Sequence, residues 1–164
     1  MAISALVIGA CAPADVQPGE IDEETVAELS ASAAAGVCGM NCDLLTVYVR
    51  DQLLFADTLV GDEEPMPAPT REALTQTFGR VQFVDMGQAD QLVGDDLRVD
   101  EGRGVLLSVS QPVQLADGVV GVDVGLWSSG DGFHGETVQF MWDGETWVEA
   151  TSEDTGVTVT SAAS

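Results

Sequence analysis

Two Asp-Gly pairs in the last third of the chain constrain its fold more than any other feature. Asp117-Gly118 and Asp143-Gly144 each lie between runs in which apolar and polar residues alternate. Asp-Gly between such runs is the strongest short-range signal for a β-hairpin. The sequence therefore predicts an antiparallel β-meander. Its strands are expected at residues 104–110, 119–127, 136–142, 145–150 and 156–161.

The strongest helix signal lies near the start, over residues 22–35. Asp22 suits the N-cap, the two acidic residues after it suit the first turn, and Gly36 is predicted to end the helix. One face of this helix is apolar and is expected to pack on a sheet. That face consists of Val26, Leu29 and Ala33. Together with the meander, it predicts an α+β fold in which an N-terminal helix packs on an antiparallel sheet.

The middle of the chain carries shorter signals. We expect strands at 44–50 and 81–85, and a helix at 71–78 capped by Thr70. Residues 51–57 fit either a strand extension or a helical turn. Three prolines predict a loop at 61–69. Residues 86–103 have no clear period.

The charge of the chain excludes several functions. Its formal net charge is −23, its five basic residues are all arginine, and it contains no lysine. Such a surface repels phosphate backbones, so we expect no nucleic-acid partner. Anionic lipid would be repelled as well, so a membrane tether has to be hydrophobic or covalent. The missing lysine excludes a P-loop lysine and a Schiff base.

The first eleven residues resemble a bacterial lipobox. An uncharged run ends in Ile8-Gly9-Ala10, directly before Cys11. In that family of signals a peptidase cuts before the cysteine, which then carries the lipid. The resemblance implies a signal-peptide remnant at 1–10, and a lipidated Cys11 with a flexible tether at 11–20.

The remaining residues, 21–164, are expected to form a single α+β domain. No basic residue precedes Cys11, although signal peptides begin with one, so we expect the natural protein to start upstream of Met1. The alternative for the same residues is a buried N-terminal strand with an ordinary core cysteine.

Cys38 and Cys42 form an even pair once Cys11 is assigned to a lipid. An exported protein enters an oxidising compartment, so we expect a disulfide between them. The alternative is a Cu(I) carrier in which Met40 supplies a third soft ligand.

The segment Gly130-Asp131-Gly132-Phe133-His134-Gly135 matches the dinucleotide-binding pattern letter by letter. That chemistry needs a helix directly afterwards, whereas a strand is predicted here, so we reject it. Asp131, His134 and Glu136 are weak candidates for a divalent metal, and solvation of an exposed histidine is the favoured interpretation. We predict no cofactor.

Trp127, Trp142 and Trp147 all fall in the predicted meander. A pair of them on one face of the sheet would form an aromatic platform for a ligand. Packing in the core is the commoner role of such residues and is the favoured alternative.

The meander, with its tryptophan-bearing last strand, resembles two groups of proteins over residues 104–161. The segment 142–148 (WDGETWV) is similar to the closing hairpin of cystatin-like and NTF2-like rolls. The whole pattern also resembles small bacterial lipoproteins of actinobacterial type. Neither resemblance supplies catalytic residues.

The sequence thus predicts a non-enzymatic domain of the cell envelope, lipid-anchored or secreted, that binds a protein or small molecule. The alternative is a roll-type enzyme that uses Asp85 or Asp123 in a conical pocket.

Overall fold

The computed structural model describes residues 21–39, 42, 44–54, 64–95, 98–128, 132–159 and 162–163. Its helices are α1 (Glu23–Cys38), α2 (Ala68–Thr77), α3 (Met86–Leu92) and α4 (Ser152–Thr155). Its strands are β1 (Thr46–Leu54), β2 (Glu64–Pro65), β3 (Val81–Val84), β4 (Gly104–Ser110), β5 (Val113–Ala116), β6 (Val119–Ser128), β7 (Gly132–Trp142), β8 (Trp147–Ala150) and β9 (Ala162–Ala163).

The nine strands of the described residues belong to one mixed sheet, in which the main order is β2-β1-β4-β6-β7-β8. Strands β4, β6, β7 and β8 form the predicted antiparallel meander. The α+β class is confirmed, with a helix packed on the sheet. The sheet is not antiparallel throughout, however, because β3 and β4 both run parallel to β1. This parallel pairing follows from helical crossovers, since α2 connects β1 with β3 and α3 connects β3 with β4.

Helix α1 begins where the sequence predicts and ends later. The carboxylate of Asp22 accepts a hydrogen bond from the Thr25 N–H at 2.8 Å, which makes Asp22 the N-cap. Gly36 was expected to end the helix, but the helix continues to Cys38. The terminating residue is Gly39, which has a φ of 57° and donates its N–H to the Ala35 carbonyl.

Helices cover both faces of the sheet. On one face, α1 and α2 pack over the alternating valines of β4 and β6 and over Phe140 of β7. On the other face, α3 and the segment after it cover a smaller cluster around Tyr48 and Leu106. A central strand such as β4 is therefore buried on both sides, and it reads as a nearly continuous apolar run.

Elements in the middle of the chain agree with the prediction only in part. Strand β1 runs from Thr46 to Leu54, so residues 51–54 take the strand extension that was one of the two alternatives for 51–57. Helix α2 starts at Ala68, so Thr70, which was predicted as the N-cap, lies inside the first turn. Pro69 is tolerated in this turn because the first N–H groups of a helix have no partner within the helix. Helix α3 occupies residues expected to be irregular. It begins with a capping box in which Asp85 and Gln88 satisfy each other's backbone N–H groups.

The C-terminal segment crosses the sheet face opposite α1. Residues 156–159 were predicted as strand, but they follow α4 without regular structure, and pairing with β7 occurs later, at β9. The buried amide of Gln139 explains this path. Its Nε2 donates to the Val157 carbonyl at 3.0 Å, and its Oε1 accepts from the Thr155 hydroxyl. A buried amide needs such partners, so these bonds hold the segment in place.

Two glycine substitutions test this fold in opposite directions. Gly36→Ala should raise the free energy of unfolding by about 0.5–1 kcal/mol, because alanine favours a helix interior and nothing lies within 4 Å of the new Cβ. Gly104→Ala should lower it by about 1–3 kcal/mol, because its Cβ would lie 2.6 Å from Tyr48 Cε2. Urea unfolding measures both, and a destabilising Gly36→Ala would contradict the observed end of α1.

Candidate functional site

A groove of about 310 Å³ lies between the N-terminal half of α1 and the β7–β8 hairpin. Thr25, Glu28 and Ser32 supply the helical wall, because residues three and four apart share one face of a helix. The hairpin supplies the other wall. Its lining residues are Trp142, Glu145, Thr146, Trp147 and Glu149. The side chains of Leu29 and Phe140 are buried beneath the groove.

Trp142 and Trp147 face each other across the hairpin. They are directly paired in the β7–β8 register, so both side chains lie on the sheet face that carries α1. Their ring centroids are 5.6 Å apart, and the ring planes are inclined by 60° in an edge-to-face arrangement. This pair forms the apolar part of the groove.

Trp127 does not join the pair. It lies on β6 and packs against the cluster on the opposite face of the sheet, with its ring centroid 6.0 Å from that of Phe133. The structure therefore brings together two of the three tryptophans considered as a platform and separates the third. The alternation of residues along β6 predicts this separation. Val120, Val122 and Val124 point toward α1, so Trp127, at an odd-numbered position, points to the opposite face.

The indole N–H groups of Trp142 and Trp147 are both buried, and neither has a hydrogen-bond acceptor among the described residues. Both side chains as a whole are only partly buried. The surface that they leave exposed is therefore ring carbon, which offers no hydrogen-bond donor to a ligand.

Three carboxylates line the groove, and the sequence alone did not single them out. Glu28 comes from α1, Glu145 from the hairpin connection and Glu149 from β8, and all three are exposed. The strand pattern could have predicted one of the three, because Glu149 lies two residues after Trp147 and so shares its face of the sheet. Glu28 reaches the groove only through the packing of α1, which no local pattern reveals.

The connection between β7 and β8 is longer than the two-residue turn that was predicted. It spans residues 143–146, so β8 begins at Trp147 instead of Glu145. The Asp143 carboxylate accepts hydrogen bonds from the backbone N–H groups of Glu145 and Thr146, both at 2.9 Å. These bonds hold the pKa of Asp143 below its usual value, since they favour the charged form. Asp143 thus positions two residues of the groove wall.

Two further cavities have a similar size, about 330 and 290 Å³, and the smaller of them shares Glu149 with the groove. No aromatic side chain is among the described residues that line them. Small-molecule sites are generally lined by apolar and aromatic groups with a few polar ones. The groove beside α1 fits that description best.

Cys38 and Cys42 lie with their sulfur atoms at disulfide-bonding distance and their Cα atoms 5.7 Å apart, which agrees with the predicted disulfide. Both residues are buried at the end of α1. A disulfide uses both thiols, and the pairing therefore argues against the Cu(I) alternative. Met40, its third expected ligand, lies outside the described residues, as does Cys11.

The candidate metal residues are only partly described. His134 Nε2 lies 3.5 Å from Glu136 Oε2 on β7, and Asp131 lies outside the described residues. In the part of the chain that the structure describes, no three His, Cys, Asp or Glu side chains are grouped closely enough to hold a metal ion. The segment after Gly132 is strand, as the rejection of a dinucleotide site required.

Asp85 and Asp123, the acids of the enzymatic alternative, both have structural hydrogen bonds. Asp85 caps α3, and Asp123 accepts a hydrogen bond from the Thr137 hydroxyl. Neither lines the groove. The structure therefore does not bring them into the candidate site.

Comparisons of the chain with protein-family models, with curated proteins and with solved structures gave no match. Within the described ranges, no helix is both long and apolar enough to cross a membrane. The candidate site accordingly rests on the geometry of this chain alone.

The bonds to Asp143 predict a pH dependence. Because its pKa is depressed in the folded state, its stabilisation is complete above the unfolded value of about 4 and is lost as the pH falls through the folded pKa. Asp143→Ala should lower stability at pH 7 and flatten the loss between pH 4 and pH 2, whereas Asp143→Asn should retain an acceptor and most of the stability.

Urea unfolding across this pH range provides the measurement. Asp117→Ala, at the other Asp-Gly pair, is the matched control, and it should keep the stability of the unchanged protein at pH 7 because the Asp117 carboxylate accepts no hydrogen bond from a described residue. An Asp143→Ala variant that loses stability in acid as steeply as the unchanged protein would contradict the role assigned to Asp143.

Proposed function

We propose that this chain is a non-enzymatic binding domain of the cell envelope, anchored through a lipid on Cys11, and that its ligand site is the groove between α1 and the β7–β8 hairpin. The observation that carries the binding part is the Trp142–Trp147 pair beside three carboxylates in one cavity. Aromatic side chains with a few convergent polar groups are typical of ligand sites.

Three sequence features support the location. The lipobox-like Ile8-Gly9-Ala10-Cys11 is followed by two prolines and a glycine, which suit a flexible tether. The Cys38–Cys42 pair at disulfide distance agrees with an oxidising compartment. The net charge of −23 fits a domain that is held at a membrane by a covalent lipid and not by basic residues.

The enzymatic alternative has no comparable support. A roll-type enzyme would need a catalytic carboxylate inside its pocket, and Asp85 and Asp123 lie outside the groove. The carboxylates within the groove are exposed, whereas the enzymatic alternative predicts a carboxylate enclosed in a deep pocket.

The anchor is tested by metabolic labelling with an alkynyl fatty acid in a bacterial host. The chain should be labelled when a basic segment precedes Met1, and Cys11→Ala should abolish the label because it removes the acceptor thiol. Absence of label, with an established lipoprotein labelled in the same cells, would contradict the anchor.

The ligand site is tested by a thermal-shift screen of small molecules. A ligand present at 100 times its Kd should raise the Tm by about 5–10 °C, which corresponds to about 2.7 kcal/mol for a domain of this size. Trp142→Phe or Trp147→Phe should reduce that shift, because each replaces an indole of the groove.

Trp127→Phe is the matched control, since it removes an indole from the opposite face, and its shift should equal that of the unchanged protein. The groove would be contradicted as the binding site if the ligand raised the Tm of all three variants equally, or if the screen found no ligand at all.

A further inference from the structure

The charge in the groove is of one sign on both walls. Glu28 lies on the helical wall and Glu149 on the hairpin wall, with Glu145 at the connection. None of the three forms an ion pair with a described residue, and none of the described lining residues is basic. A positive group placed between the walls would face carboxylates from two directions, whereas an anion would be repelled by the same carboxylates.

The aromatic pair adds a second, independent preference for positive charge. The rings of Trp142 and Trp147 are partly buried, and the surface that they leave exposed is ring carbon because their N–H groups are buried. The face of an indole attracts an ammonium or guanidinium group, with tryptophan the strongest of the aromatic residues. An aromatic pair beside carboxylates is the arrangement expected of a site for organic cations.

The size of the groove favours a small molecule over a protein segment. A cavity of about 310 Å³ lies at the lower end of the range for small-molecule sites, roughly 300–1,000 Å³. A stable protein–protein contact uses about 20–30 residues on each partner, whereas ten described residues line the groove.

We infer that the groove binds a small organic cation, in which a quaternary ammonium or guanidinium group lies against Trp142 and Trp147 and between Glu28 and Glu149. This inference rests on the proposed ligand site and names the chemical class of its ligand. It does not depend on the lipid anchor.

Calorimetric titration with two matched pairs of compounds tests the inference at 150 mM salt. Choline is compared with its uncharged carbon isostere 3,3-dimethylbutan-1-ol, and N-acetylarginine amide with the uncharged N-acetylcitrulline amide. In at least one pair the cation should bind at least tenfold more tightly than its neutral isostere, because only the cation gains from the carboxylates and the ring faces.

Variants that each neutralise one carboxylate distinguish binding in the groove from a general attraction of cations to an acidic protein. Glu28→Gln and Glu149→Gln should each weaken binding of the cation at least threefold. Glu72→Gln, on the exposed side of α2, changes the net charge equally and should alter the Kd less than twofold. Thermal unfolding of each variant, followed by circular dichroism, establishes that it is folded.

The outcomes distinguish this inference from the ligand site itself. If in both pairs the neutral isostere binds as tightly as its cation and Trp142→Phe weakens both, the groove remains the site and the inferred cation preference is overturned. The inference is also overturned if no cation binds, if Glu72→Gln weakens binding as much as Glu28→Gln does, or if a lysine-rich peptide binds where both small cations fail.

Discussion

The close packing of α1 on the central strands is the contact on which the rest of the structure depends. Its buried face is made mostly of alanine, so that the helix backbone lies near the valines of β4 and β6. Small side chains permit that approach, and each buried apolar group adds roughly 25 cal/mol per Å² removed from water. The same packing fixes α1 beside the β7–β8 hairpin and thereby creates the groove, one wall of which is the exposed side of α1.

The sequence predicted the parts of the fold that depend on local patterns. Alternating residues and Asp-Gly pairs identified β6, β7 and β8, and the Asp22 cap with its acidic first turn identified α1. The parallel pairing of β3 and β4 with β1 was missed, because it depends on the path of two short helices. The pattern of α3 is too short for a helical period to be visible, and its first turn is set by the Asp85 capping box. The prediction that Gly36 ends α1 was wrong because glycine occurs inside helices as well as at their ends.

The candidate site was predictable only in part, for a similar reason. Trp142 and Trp147 flank one turn, so their shared face follows from the strand period. Trp127 belongs to the other face by the same rule. Glu28 is distant in sequence and comes to the groove by tertiary packing, and no property of the surrounding residues distinguishes it from the other acids of a chain with 28 of them. The acidic residues that argue against a nucleic-acid partner thus include three that line one groove.

The most direct measurement of the central claim is a titration followed through the three indole N–H signals in ¹H–¹⁵N NMR spectra. Choline and N-acetylarginine amide are the probes, each added to the ¹⁵N-labelled protein in a separate titration, and at least one of them is expected to bind. Each signal is assigned by substitution of one tryptophan. The account predicts that the signals of Trp142 and Trp147 move together and saturate, while that of Trp127, on the opposite face, stays in place. Movement of the Trp127 signal alone, or of none of the three, would contradict it.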